Sequence, residues 1–342
     1  MLSIGKIRGF EQIADSAGII RIAAMDQRGS LQKMLNVGKP ESVSYEELRD
    51  AKLMLCKVLA PHASAVLIDP EYGAAQAIAA HVLLGDTGLL VSLEKSGYAG
   101  DIHARQAEVI PGWTIEKIKR MGANAVKILV YYNPDAMTAR QIRDFVARAA
   151  DDCARYDIPC IVETLVYPLE GDEHSPEFAV TKPGLVLRTA RDITALGIDL
   201  YKAEFPVVPS LDMDENEALQ YCLELTKVSR VPWVVLSAGM DFHLFTRVVA
   251  IACNGGASGF IAGRAIWKDA FTYTSEEERL SYLETTGVAH LQEINDNASK
   301  LATPWFKRYD IDLELESGVG SDWHTLYQGF TGPGPGPQVV GF

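Results

Sequence analysis

Cysteine is scarce in this chain and scattered: five residues in 342, at Cys56, Cys153, Cys160, Cys222 and Cys253, with no CxxC pair. An odd, dispersed set forms neither a disulfide framework nor a zinc site, and these thiols are expected to pack as small hydrophobes in a cytoplasmic protein. Histidine is nearly as thin. There are seven, none at a predicted strand end and none in an HxH or HExxH pairing, so no metal and no other cofactor is expected. Hydrophobic runs stop at strand length, which leaves no transmembrane helix. The opening Met-Leu-Ser-Ile-Gly-Lys lacks the apolar core and cleavage pattern of a secretory signal. Basic residues are outnumbered 32 to 45, giving a formal charge of −13 without basic blocks, so neither nucleic acid nor an anionic membrane is an expected partner. No Gly-rich dinucleotide turn follows the first strand, where Asp26-Gln27-Arg28-Gly29 stands instead. Ser237 has no GxSxG setting, and no internal repeat is present.

What the chain does contain is an alternation. Apolar runs at 19–25, 64–68, 88–93, 125–132, 159–166, around 202, 233–236 and 259–262 read as strands. Helix-like stretches lie near 7–17, 45–60, 74–82, 113–121, 137–155, 183–195, 214–228, 242–253 and 276–301, and 168–180 reads as loop. Ser44, with Glu46 and Glu47 behind it, is a plausible helix start. The strands are continuous rather than alternating, the mark of a parallel sheet covered on both faces. Eight such units predict an α/β fold, a single (β/α)8 TIM barrel over residues 1–317. The remainder, 318–342, changes character at Gly332-Pro333-Gly334-Pro335-Gly336-Pro337 and predicts an extended C-terminal tail.

Barrels of this kind do their chemistry at the C-terminal ends of the strands. Those positions are polar in nearly every strand: Asp26, Glu94, Lys127, Glu163, Lys202, Ser237 and Arg264. Lys127, Glu163 and Lys202 sit within strands, where an ionic side chain must pair or work. One reading is a structural Lys–Glu–Lys network, or a lysine that snorkels to the rim. The other is carbonyl chemistry, with a Schiff-base lysine at Lys202, a second cation at Lys127 and an acid/base at Glu163. The turns Ser237-Ala238-Gly239 and Gly263-Arg264 follow strands seven and eight, where barrels commonly hold a phosphate.

At these residues the chain resembles a known family. Ala23-Ala24-Met25-Asp26-Gln27-Arg28-Gly29, Ile68-Asp69-Pro70-Glu71-Tyr72-Gly73 and Glu94-Lys95-Ser96-Gly97-Tyr98 are similar to segments of the class I tagatose 1,6-bisphosphate aldolases. So are Tyr201-Lys202-Ala203-Glu204-Phe205-Pro206, Leu236-Ser237-Ala238-Gly239 and Gly263-Arg264-Ala265-Ile266-Trp267. The likeness runs in order from about residue 10 to 307. It implies an enzyme that cleaves a phosphorylated ketohexose to dihydroxyacetone phosphate and glyceraldehyde 3-phosphate, without a cofactor. Lys202 is then the Schiff-base residue, Glu163 the acid/base, and Asp26 and Lys127 surround the reacting carbons. Gln27 and Arg28 are substrate contacts, and Ser237, Gly239, Gly263 and Arg264 hold the 1-phosphate. A related family cleaves 6-deoxy-6-sulfofructose 1-phosphate to dihydroxyacetone phosphate and sulfolactaldehyde. It differs at the substrate's far end, for which Arg28, Lys95 and His243 are candidates. A non-catalytic sugar-phosphate binder on the same barrel is the alternative of another class. The expected partner is a small phosphorylated sugar, and a homo-oligomer is expected by base rate.

Overall fold

The computed structural model describes residues 2–311, 319–327 and 329. Eight parallel strands close into a barrel: β1 Ile20–Met25, β2 Ala65–Ile68, β3 Gly88–Ser92, β4 Ala125–Tyr131, β5 Cys160–Leu165, β6 Leu200–Ala203, β7 Trp233–Leu236 and β8 Gly259–Ala262. Each strand pairs with its neighbours in sequence, and β1 closes the ring by pairing with β8. The (β/α)8 expectation is therefore met.

Strand side chains alternate between two faces, and here the alternation separates two cores. Val66, Ile68, Val91, Val126, Ile128, Val162, Tyr201, Val235 and Phe260 point out into the layer under the helices. Ile22, Ala24, Leu67, Leu90, Ala125, Ile161, Leu200, Val234 and Ile261 fill the inside of the barrel. The inner cluster continues into Phe10 and Ile13 of the first helix, Ile4–Ile13, and into Trp305, whose ring stacks on Phe10 at 4.5 Å. These large side chains stopper the N-terminal end of the barrel. Lys6, on the same helix, fastens the stopper through a buried ion pair to Asp199 at 2.7 Å, just before β6.

The helix Tyr45–Leu59 starts where the sequence indicates. Ser44 accepts the Glu47 N–H while Glu47 takes the Ser44 N–H, a full capping box. Two expectations needed correction. The helix before β6 runs Pro176–Ile193, so part of the expected loop at 168–180 is helical. Ser175 caps it by accepting the Phe178 N–H, and Pro176 fits the first turn, where no N–H is needed. Pro183 lies inside this helix. Between β3 and the helix Ile115–Arg120, the chain also forms an antiparallel ribbon, Ala99–Asp101 with Ala104–Gln106, that the apolar pattern did not announce. The long helix expected at 276–301 is three continuous segments, Glu276–Tyr282, a π turn Leu283–Gly287, and Val288–Leu301.

The Pro/Gly tail reading at 332–337 lies outside the described residues. Nearer the barrel, Tyr327 donates to the Asp157 carboxylate and receives the Gly5 N–H at 3.2 Å.

All five cysteines are buried and unbonded, and burial pushes the Cys56, Cys222 and Cys253 thiols up to about 12. They are small hydrophobes, as expected.

Candidate active site

The inward-facing series on each strand carries apolar residues low in the barrel and polar ones at the top. On β4 the series is Ala125 then Lys127, on β5 Ile161 then Glu163, and on β6 Leu200 then Lys202. Glu163 and Lys202 are direct partners in the ladder. The same alternation carries β1 from Ala24 to Asp26, just past the strand end. This pattern, not any one residue, brings the four expected catalytic groups together.

Their contacts are short. Lys202 Nζ donates to Glu163 Oε2 at 2.9 Å. Lys127 Nζ lies 3.0 Å from the same oxygen, and donates to Asp26 Oδ2 at 2.8 Å and to Glu94 Oε1 at 2.7 Å. Lys127, Glu163, Lys202 and Glu94 are all less than 8% exposed. Burial alone disfavours the charges of Lys127, Asp26, Glu163 and Glu94, so their partners decide. For Lys127 burial is outweighed by Asp26, Glu163 and Glu94, and the ammonium is held well above its ordinary range. Asp26 and Glu163 also resist burial, because Lys127 and Lys202 hold both below the usual carboxylate range. For Glu94 burial wins over Lys127, and its carboxyl is raised.

These groups form the floor of a cavity of about 510 Å³ at the C-terminal mouth, within the roughly 300–1,000 Å³ of small-ligand pockets. Asp26, Gln27, Arg28, Lys127, Glu163, Lys202, Ser237, Gly263 and Arg264 all line it. Gly239 stands just behind: a Cβ there would come within 3.1 Å of the Arg264 guanidinium carbon. The Ser237-Ala238-Gly239 turn uses two left-handed residues, Ala238 at φ +46° and Gly239 at φ +80°. Lys268 clamps it by donating to the Gly239 and Met240 carbonyls at 2.9 and 3.1 Å. Gly263 is required for another reason, since a Cβ would meet the Ala24 carbonyl at 2.3 Å. Arg264 lies between the two turns and makes no hydrogen bond or ion pair among the described residues. A cation with free donors beside two glycine turns is suited to a phosphate.

Arg28 also lines the cavity, and each of its Nη groups makes one hydrogen bond. One donates to Glu71 at 2.6 Å and the other to the Glu94 carbonyl at 2.7 Å. Lys95 lies on the rim, paired with Glu108 at 3.2 Å. His243 is not among the lining residues. Among the described residues no three His, Cys, Asp or Glu side chains are grouped to hold a metal ion.

Lys52 went unnoticed in the sequence. It is wholly buried, 2.5 Å from the equally buried Asp69, and donates to the carbonyls of Met25 and Gln27 at 2.6 and 2.7 Å. It therefore ties the ends of β1 and β2 together under the Asp26–Arg28 turn. The available signal was its place in an apolar helix stripe, Leu48, Lys52, Leu55 and Leu59. Lys52→Met leaves the Asp69 charge unanswered and should lower unfolding free energy by about 3–5 kcal/mol, with Lys52→Met/Asp69→Asn recovering part of the loss. Urea melts of the three proteins check this, and an unshifted midpoint for the single variant would remove Lys52 from the site's support.

Comparison with known proteins places the chain among aldolases. Residues 20–269 match the model of the DeoC/LacD family aldolases. Tagatose 1,6-diphosphate aldolase 1 of Enterococcus faecalis (strain ATCC 700802 / V583) is 31% identical over 326 residues, covering 90% of this chain and 98% of that protein. Tagatose 1,6-diphosphate aldolase 2 of Streptococcus agalactiae serotype III (strain NEM316) is 31% identical over 327 residues, 90% and 99% of the two chains. Among solved structures, the fructose-bisphosphate aldolase of Plasmodium falciparum superposes with a TM-score of 0.67 at 14% identity, over 88% of this chain and 97% of that one. A Schiff-base-forming fructose-1,6-bisphosphate aldolase does so at 0.55 and 19%, over 84% and 98%. These two are similar in fold.

Proposed function

The chain belongs to the DeoC/LacD family of aldolases, and on that premise we propose that it cleaves tagatose 1,6-bisphosphate or a closely related ketohexose bisphosphate, reversibly, through a Schiff base on Lys202. The observation that carries this reading is the 2.9 Å contact between Lys202 and Glu163 in a cavity also lined by Arg264, which has no ion-pair partner among the described residues.

Each residue's part follows from its place. Arg264, with the Ser237–Gly239 and Gly263 turns, takes the 1-phosphate and sets C2 over Lys202. Lys202 gives its proton to Glu163 across their hydrogen bond, and the amine adds to C2 to form a carbinolamine. Loss of water, with a proton supplied by Glu163, leaves the iminium. Glu163 then accepts the C4-hydroxyl proton as the C3–C4 bond breaks. The bonding electrons pass into the iminium as an enamine, and the three-carbon aldehyde leaves. Protonation at C3 and hydrolysis release dihydroxyacetone phosphate and restore Lys202. Lys127 stays charged throughout and, with Asp26 and Gln27, orients the substrate hydroxyls. Lys33 and Lys95 also line the cavity, and to them we assign the substrate's six-end.

Buried, reduced thiols suit a cytoplasmic protein. Exposed apolar side chains, Val180 at 81% and Met137 at 89%, suit a homo-oligomer.

The direct test is release of dihydroxyacetone phosphate from tagatose 1,6-bisphosphate, run beside 6-deoxy-6-sulfofructose 1-phosphate. Faster turnover of the bisphosphate is expected. Faster turnover of the sulfonate reassigns the substrate, and ligand binding without turnover of either points to a binder. Arg264→Ala should raise KM for the bisphosphate about 10- to 100-fold with a smaller change in kcat, since a charge-assisted contact of about 1.5–3 kcal/mol is lost. An unchanged KM would move the 1-phosphate elsewhere.

A further inference from the structure

Glu94, at the end of β3, is the one buried carboxylate of the cavity to which the reaction above gives no part. It is 4% exposed and lines the cavity. Lys127 and Lys202 are already matched one for one by Asp26 and Glu163. Glu94 is a further carboxylate on the Lys127 ammonium, and its Oε2 has no hydrogen-bond partner among the described residues. Such an arrangement persists only where the position of the group matters.

The geometry indicates what it positions. An ammonium has three N–H bonds, and the three carboxylates around Lys127 Nζ come from three different strand ends: Asp26 after β1 at 2.8 Å, Glu94 after β3 at 2.7 Å and Glu163 on β5 at 3.0 Å. Asp26 and Glu94 accept hydrogen bonds from the nitrogen, whereas Glu163 is an ion-pair contact only; with Glu94 gone, one hydrogen bond would be left to hold it. The anchor it would swing towards is Glu163 Oε2, the oxygen that Lys127 shares with Lys202. Glu94 is itself immobilised. Its carbonyl accepts Arg28 Nη2 at 2.7 Å, and its main chain bridges to Val109 beyond the ribbon.

We propose that Glu94 is a positioning residue: with Asp26 it takes the hydrogen bonds of the Lys127 ammonium, which then only approaches Glu163 as an ion pair, and the shared oxygen keeps its hydrogen bond from Lys202 and is placed to take that proton. This rests on the Schiff-base reading above. Glu94 touches no reacting atom, so its loss should act on kcat and leave binding at the Ser237–Arg264 end alone.

The test uses the full-length enzyme and two variants. Glu94→Leu removes the anchor and should lower kcat about 100-fold, the scale of a misplaced catalytic group, with KM within about threefold. Glu94→Gln keeps a carbonyl acceptor in place and should recover roughly tenfold of that loss. Borohydride trapping with dihydroxyacetone phosphate should slow in the same order. A Glu94→Gln enzyme as slow as Glu94→Leu, a rise in KM with kcat intact, or kcat within twofold of wild type in both variants overturns the proposal. If Glu94→Leu does not fold, Glu94→Gln decides alone: kcat and trapping rate equal to wild type sink it. Failure of the wild-type enzyme to trap dihydroxyacetone phosphate at all refutes the Schiff-base reading itself, and the role of Glu94 with it.

Discussion

Lys202→Met should abolish turnover, with kcat falling on the order of 10⁴-fold or more, because no other group supplies the covalent electron sink. The protein should stay folded, since Glu163 keeps Lys127 as a partner at 3.0 Å. Methionine also fills nearly the volume of the lysine stem. Wild-type enzyme treated with borohydride and dihydroxyacetone phosphate should gain the mass of one reduced adduct, and peptide mapping should place it on Lys202. In Lys202→Met the adduct should vanish while phosphate-dependent binding persists through Arg264. An adduct on Lys127 would reverse the roles of the two lysines. That outcome conflicts with the contacts seen, because Lys127 is held by three carboxylates and its ammonium is well above the ordinary lysine range.

Glu163→Gln carries the second large effect. Removing the proton carrier should reduce kcat about 10²- to 10⁴-fold, with single-turnover imine formation and C3–C4 cleavage both slowed. It should also reveal a stability change with a definite pH dependence. The folded pKa of Glu163 lies below its unfolded value, because the attraction of Lys127 and Lys202 outweighs burial. Such a group stabilises the fold fully above its unfolded pKa of about 4.3, and that stabilisation fades as pH falls through the lower folded value. The variant should therefore melt below the wild type at neutral pH, by up to about 3–5 kcal/mol for a broken buried pair. The gap should close only in acid, below the ordinary carboxylate range. A gap constant from pH 7 down to pH 3 would mean that Glu163 is not held ionised by its lysines.

Much of this site could be read from the chain because a strand has a period of two. A lysine at 127, a glutamate at 163 and a lysine at 202 each stand two residues beyond an apolar inward position, so all three point to the axis once a barrel is assumed. The turns after β7 and β8 were legible because glycine there has a steric cause, the Ala24 carbonyl against Gly263 and the left-handed φ of Gly239. Lys52 was hidden for the opposite reason. A lysine on a helix is normally a surface residue, and only its place in the apolar stripe marks it; its partner Asp69 is 17 positions away on another element. The sequence gives the charge of Arg28 but not its neighbours: in the fold it lines the cavity while one Nη donates to Glu71 and the other to the Glu94 carbonyl. The ribbon at 99–106 has too few apolar residues to show a period. It is fastened to the barrel by its own Arg105, whose guanidinium carbon sits 4.6, 5.0 and 4.7 Å from the rings of Tyr98, Tyr131 and Tyr167.

The stopper of Phe10, Ile13 and Trp305 makes the barrel a cul-de-sac. Everything that enters must turn round and depart by the same doorway. On the Schiff-base reading, the aldehyde is loose as soon as the C3–C4 bond breaks, while the other half stays bonded to Lys202. Product departure is thus ordered by architecture: the aldehyde goes first, and the tethered three-carbon phosphate can follow only after water has arrived by the path the aldehyde vacated.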